Sequence, residues 1–216
     1  MCNSTQRSQE EEDLVLIIEI FLLICQLINY QKIVIKLLSF YQTNDKIKNT
    51  YRRKNRMAIT ASNAVKILKE VVKDYNYWGE SESDSPLSIK RAKTGLDEKR
   101  ILALDASARK KAAQIQDYKA PTRNVRTSTL EQVFQPLCQN AFNQLTQAQS
   151  QPMENWLTPV EALEYYVELY SIFKQLTEPS VFYVEDTAGD PYTGLFITGK
   201  SSDGETIYAQ SLLVQT

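Results

Sequence analysis

Histidine is absent from these 216 residues. That removes the commonest general base, every serine or cysteine triad resting on an imidazole, and the commonest zinc ligand. Cysteine is scarce: Cys2, Cys25 and Cys138 lie far apart, with no CxxC pair and no even set for a disulfide framework. Such usage points to reduced thiols in a cytosol-like compartment, and Cys138 reads as a small buried hydrophobe. Excess charge of one sign is also missing. Lys and Arg number 25 against 26 Asp and Glu, a formal net charge of −1, so bulk charge does not mark a nucleic-acid binder.

A long uninterrupted apolar run is lacking too. Residues 14–41, LVLIIEIFLLICQLINYQKIVIKLLSFY, are dense in Leu and Ile, but the longest charge-free stretch, Ile20 to Gln31, carries Gln26 and Asn29. A membrane span needs about 20 consecutive apolar residues. Glu19, Lys32 and Lys36 would be costly near a bilayer centre. The acidic stretch Glu10 to Asp13 before the segment is unlike the basic start of a signal peptide. The basic KIKNTYRRKNR after it suits a positive-inside orientation. Membrane association through residues 14–41 is open but not favoured, and the expected location is cytoplasmic.

What is present suits a globular protein: 43% hydrophobic and 24% charged residues are enough for one good core. The texture changes at Met57. Residues 1–56 read as an N-terminal extension: upstream sequence that is not native, a disordered segment, or a membrane-associated one. Residues 57–216 read as the domain. Nine of the 25 basic and six of the 26 acidic residues fall in 1–56, leaving 16 and 20 beyond. The domain is therefore acidic, at −4.

Within it, Ser62 is placed to cap a helix with Val65, Leu68, Val72 and Tyr75 on one face. LSIKRAKTG reads as a short strand ending at Gly95, and Lys99–Asp105 as a second. Residues 106–126 are polar, basic and unassigned. TSTLEQVFQPL reads as a short helix capped by Ser128 or Thr127, and the Gln-rich stretch after it as a surface loop or weak helix. LTPVEALEYYVELYSIFKQL is the clearest helix, with Thr158 as cap, Pro159 at its first position, Glu161 completing a capping box, and Pro179 as its stop. Leu163, Tyr166, Val167, Tyr170, Phe173 and Leu176 form its apolar stripe. Three strands follow, SVFYVED, YTGLFITGK and ETIYAQSLLVQT, the last two joined by an Asp-Gly hairpin turn.

One stretch is chemically unusual. After DYNYWGE the chain runs SESDSP, with Glu80, Glu82 and Asp84 within five residues and no Lys or Arg among them. They follow a helix, where the dipole favours cations. The stretch lacks the spacing of a calcium loop, and no second acid cluster supplies a carboxylate pair for hydrolysis. An enzyme is therefore not expected, nor a cofactor.

From Ala58 onward the chain resembles the nuclease A inhibitor family, small bacterial proteins that block a sugar-nonspecific metallonuclease. Four stretches carry the likeness. LKEVVKDYNYWGESESDSP is similar to the family's first helix and acidic turn, and ENWLTPVEAL to the opening of its long helix. GLFITGKSSDGETIYAQS resembles its hairpin, and SLLVQT its terminal strand closing on Thr. Order and spacing agree, apart from extra residues between about 95 and 150. The resemblance implies an α+β fold: a three-layer α/β/α sandwich with a mostly antiparallel sheet, like a pathogenesis-related protein. It implies a monomer that binds its nuclease 1:1, binds no nucleic acid directly, and pushes its C-terminal residue onto the nuclease's metal.

Carried over position by position, the acid-turn glutamate falls on Glu82, the interface tryptophan on Trp156 and the terminal threonine on Thr216. Glu80 and Asp84 flank the first. Asn155 and Gln215 stand where the family's pattern has acids, a loss of charge toward a basic partner. The physics supports such a plug. A nuclease site holds a divalent cation and a polyanion and is positive overall. A C-terminal carboxylate with a threonine hydroxyl beside it offers two hard oxygens to the partner's Mg²⁺ or Mn²⁺. Each residue also has an ordinary alternative: a solvated turn for Glu82, a staple on the helix for Trp156, an idle terminus for Thr216. Trp78 reads as core. The competing function is an acidic protein-interaction adaptor with no nuclease target.

Overall fold

The computed structural model describes residues 59–114, 117–148, 151–152, 155, 157–186 and 190–215. The chain divides into two units between Arg56 and Met57, and all described residues belong to the second. The extension 1–56, with its segment 14–41, lies outside the described residues. Among the described residues no helix is long and apolar enough to cross a membrane.

The elements run α1 (Ala61–Val71), β1 (Ser88–Ala92), α2 (Glu98–Ala113), β2 (Arg123–Ser128), α3 (Leu130–Ala148), α4 (Leu157–Phe173), β3 (Thr177–Asp186), β4 (Tyr192–Lys200) and β5 (Thr206–Val214). The strands form one sheet in the order β1-β5-β4-β3-β2, each neighbouring pair antiparallel. The fold is α+β.

β4 and β5 are buried along nearly their whole length, as expected of β-branched and aromatic runs in mid-sheet with helices on both faces. Gly204, at φ +84°, makes the turn between them. Strand residues alternate between faces. Ala92, Val184, Phe196 and Tyr208 pack against Ile101 of α2 on one face. Tyr183 points to the other, where its hydroxyl reaches Glu80 beside Trp78. Trp78 in turn lies edge-on to Phe134 of α3 and Tyr166 of α4. The sheet thus stands between α2 and the α3–α4 pair, in three layers.

Several elements depart from the sequence reading. Lys99–Asp105 is helical, the first half of α2, which also takes up Ala106–Ala113 of the unassigned stretch; Arg123–Arg126 of that stretch belong to β2. Asp97 caps α2 by accepting the Arg100 N–H at 2.8 Å. The buried residues of α2 are Ile101, Asp105 and Arg109. They follow helical four-residue spacing, but two of the three are charged, so the apolar period is broken.

The caps differ as well. Helix α1 starts at Ala61 after Thr60, not after Ser62, and its Ala61 N–H donates to the Asp203 carboxylate at 3.0 and 3.2 Å. Thr127 and Ser128 end β2, and Thr129 caps α3. Its hydroxyl accepts the Gln132 N–H, and the Gln132 amide oxygen accepts the Thr129 N–H, a reciprocal box. The Gln-rich stretch continues α3 to Ala148. α4 begins at Leu157, so Thr158 and Pro159 lie in its first turn. Pro179 is not its stop, because α4 ends at Phe173 and Pro179 lies inside β3. There the register with β4 shifts between Thr177 and Ser180, and β2 pairs no further along β3 than Val181. A bulge beyond the outer neighbour tolerates a residue without an N–H.

Candidate functional site: the acidic turn and the carboxyl end

The acidic turn is built on Trp78, which is fully buried. The Tyr166 hydroxyl accepts the Gly79 N–H at 2.9 Å. Glu80 turns its carboxylate back onto the protein: Oε2 accepts the Trp78 indole N–H at 3.0 Å and the Tyr183 hydroxyl at 2.7 Å. Burial raises the Tyr183 phenol, with the Glu80 charge beside it adding to the effect. The Arg126 guanidinium lies 4.3 Å over the Tyr183 ring and pairs with Glu185.

The serines of SESDSP alternate with its acids because they do a different job. Ser81 and Ser85 are buried; Glu82 and Asp84 are exposed. Ser85 donates its hydroxyl to Ser81 Oγ at 2.6 Å, and its N–H goes to the Asn76 carbonyl at 2.7 Å. The Ser81 N–H returns to the Trp78 carbonyl at 2.8 Å. Hydroxyls tie the turn from inside, while Glu82 and Asp84 stand at the surface.

The same turn grips the end of β5. Glu82 donates its N–H to the Val214 carbonyl at 2.9 Å, and Ser81 Oγ accepts the Val214 N–H at 3.0 Å. Gln215 extends the junction. Its side-chain amide donates to the Glu80 carbonyl at 3.1 Å, its amide oxygen accepts the Thr193 hydroxyl at 2.9 Å, and its N–H goes to the Pro191 carbonyl at 2.8 Å. A carboxylate at 215 could not donate to Glu80.

The structure therefore brings Glu80, Glu82 and Gln215 into one hydrogen-bonded unit, with Asp84 exposed on the same turn. Asn155 is exposed just before α4, bonded to Pro152 and Gln151. Trp156 and Thr216 lie outside the described residues. Among the described residues no group of three or more His, Cys, Asp or Glu is arranged to hold a metal ion. The Cys138 thiol is half-buried, and burial pushes it up to about 11.

A second polar cluster, on the α2 face, escaped the sequence reading. The Asp105 and Arg109 side chains are fully buried and joined at 2.8 Å. Arg109 also donates to the Val184 carbonyl at 2.9 Å and faces the Asp190 carboxylate at 3.3 Å. Arg123 reaches the same Asp105 oxygen at 2.5 Å. The Tyr118 hydroxyl donates to Asp190 at 2.5 Å. Burial pushes the Asp190 carboxyl up, but the bonds from Tyr118 and the Tyr192 N–H, with the Arg109 charge, outweigh it and hold it below the ordinary carboxylate range. Burial and the Asp190 bond raise the Tyr118 phenol to about 12. In sequence these residues spread from 105 to 190 with no motif spacing.

No protein-family model matches the chain, and no curated protein matches it.

Proposed function

We propose that the chain is a protein inhibitor of a sugar-nonspecific, metal-dependent nuclease, and that it blocks the nuclease's active site with its C-terminal threonine and acidic surface. One observation carries the reading: the acidic turn and the last residues of β5, more than 130 positions apart, are hydrogen-bonded together through Glu82, Ser81 and Val214. A plug needs both features on the same side of the molecule, on rigid supports. The turn has a buried serine and tryptophan base, and β5 lies inside the sheet. Preorganised anions lose little entropy on binding, so more of their attraction appears as affinity.

The parts divide as follows. Glu82 and Asp84 face the basic surface that otherwise holds phosphates. Glu80 shapes the turn and presents its backbone carbonyl to Gln215. Thr216, one peptide bond past Gln215, carries the carboxylate and hydroxyl to the partner's metal. Trp156, next to Asn155 in the sequence, is the interface tryptophan. The chain acts as a ligand for an enzyme and needs no cofactor of its own.

Titration of the full chain into a Mg²⁺-dependent sugar-nonspecific endonuclease tests this. Stoichiometric loss of cleavage on both DNA and RNA is expected. Undiminished cleavage at excess inhibitor across several such nucleases would leave the acidic adaptor as the better reading.

A further inference from the structure

Val214 and Gln215 are held from two sides. The acidic turn is one; the β3–β4 connection is the other. Pro191 of that connection accepts the Gln215 N–H at 2.8 Å, and Thr193 donates its hydroxyl to the Gln215 side chain at 2.9 Å. Asp190, just before Pro191, is itself fastened. Asp190 accepts the Tyr192 N–H at 3.0 Å through one oxygen and the Tyr118 hydroxyl through the other, and donates its own N–H to Asp186 at 2.7 Å. Beneath it lies the Arg109 guanidinium, fully buried, 3.3 Å from Asp190 and 3.9 Å from Asp186.

We propose that Arg109 is the positioning residue for the carboxyl end: it fixes Asp190, Asp190 fixes Pro191 and Tyr192, and Pro191 fixes Gln215. The inference rests on the inhibitor reading, since it concerns the part that reading places in the partner's active site. The chemistry suits the task. A guanidinium is a rigid planar fork that stays charged when buried, so one group hydrogen-bonds Asp105 and the Val184 carbonyl while its remaining nitrogen, which makes no hydrogen bond among the described residues, faces the Asp190 carboxylate as an ion pair at 3.3 Å. Asp105 holds the guanidinium itself, and Arg123 braces Asp105 in turn. A buried charge of this kind is costly unless several partners share it. A core that needed only packing would be served as well by apolar side chains.

The test uses the full chain with Asp190→Asn, which keeps size and shape, and Arg109→Lys, which keeps the charge but loses the fork. Amide hydrogen exchange followed by NMR reads the Gln215 N–H against those of Phe196, Ile197 and Ala209 in the sheet centre. The expected result is at least tenfold faster exchange at Gln215 in both variants, with the sheet-centre amides unchanged in Asp190→Asn. Should Arg109→Lys fail to fold, Asp190→Asn decides alone. Unchanged exchange at Gln215, or equal acceleration of all four amides, overturns the proposal. Against a nuclease that the wild type inhibits, the same variants should dissociate about tenfold faster with little change in association rate. Loosened Gln215 with unaltered dissociation would overturn the role in inhibition. A wild type that inhibits no nuclease defeats the inhibitor reading, while the exchange comparison still decides the positioning.

Discussion

The backbone N–H of Glu82 donates to the Val214 carbonyl at 2.9 Å. This bond sets the register between the acidic turn and the last strand, so a charge on the turn keeps a fixed offset from Val214. If both engage one partner, Glu82→Gln should act mainly on encounter. It removes a charge while leaving size and backbone bonds intact. Association should slow and become less sensitive to salt, because long-range attraction supplies much of the rate between an acidic surface and a basic groove. A cost of about 1–3 kcal/mol applies if the carboxylate is buried against a cation in the complex. Stopped-flow association at several salt concentrations checks this, and equal rates for variant and wild type would place Glu82 in solvent in the complex.

Glu80 should behave differently from its neighbour. Its Oε2 serves the indole N–H of a fully buried Trp78 and the hydroxyl of Tyr183. Glu80→Ala strands both donors, at about 1–3 kcal/mol for each left unsatisfied. The urea midpoint should fall well below that of Glu82→Gln. If the two variants are equally stable, water replaces the carboxylate at no cost and the turn is less tightly tied than its distances suggest.

These contrasts mark what the sequence could and could not tell. The hairpin was legible because Asp203 and Gly204 interrupt two β-rich runs. The stripe of α4 was legible because Leu163, Tyr166 and Phe173 are apolar at helical spacing and all buried. Helix α2 was not, because the face it buries contains Asp105 and Arg109, which any hydrophobic periodicity counts as solvent-facing. The α1 cap was not, since part of it is Asp203, 142 residues away. Within the candidate site, the acids of SESDSP stood out by composition. That the Glu80 carboxylate turns back onto the protein depends on Tyr183, 103 residues on, and no local pattern carries it.

Gly194 offers a test of the buried cluster that does not touch its charges. A Cβ there would overlap Asp105 Oδ1 and stand 3.1 Å from both Asp105 Cγ and Val184 Cβ. Asp105 cannot swing away, because Arg109 and Arg123 hold its other oxygen. Gly194→Ala should therefore destabilise by about 1–3 kcal/mol or more, as overpacking does in a rigid core. Chemical denaturation measures it. A neutral or stabilising effect would mean that α2 shifts freely over the sheet and the cluster is not rigid.

Alkaline pH should reveal Tyr118. Its phenol is raised from 10.0 to about 12 in the folded protein by burial and by its bond to Asp190. A group raised on folding contributes stability that is complete below its unfolded value and is lost as pH rises toward the folded one. Stability should therefore hold to about pH 10 and fall between 10 and 12, with buried Tyr165, Tyr166 and Tyr183, all raised by burial, acting in the same direction. Tyr118→Phe should make that fall shallower, since Phe has no proton to lose. Urea midpoints at pH 9, 10 and 11 decide it, and identical slopes for variant and wild type would show that Tyr118 is no more protected folded than unfolded.

The carboxyl terminus carries the most demanding prediction. If Thr216 brings two oxygens to the partner's metal, deleting it removes both. Adding one Gly after it moves the carboxylate about 3.5 Å along the chain and leaves an amide in its place. Neither change reaches the bonds of Gln215 to Pro191, Thr193 and Glu80, so the fold and the local amide protection should survive both. Losing a buried oxygen ligand leaves the cation's charge uncompensated, at about 2–5 kcal/mol, or roughly 30- to several-thousand-fold in affinity. Calorimetric titration reads binding directly, so it can be repeated with the nuclease stripped of its metal. Metal removal should weaken the wild type strongly and the deletion variant hardly at all, because the variant has no ligand left to lose. Equal losses for both proteins would mean that the metal acts by ordering the nuclease rather than by meeting Thr216. A deletion variant that binds like the wild type would leave the acidic turn as the whole of the interaction.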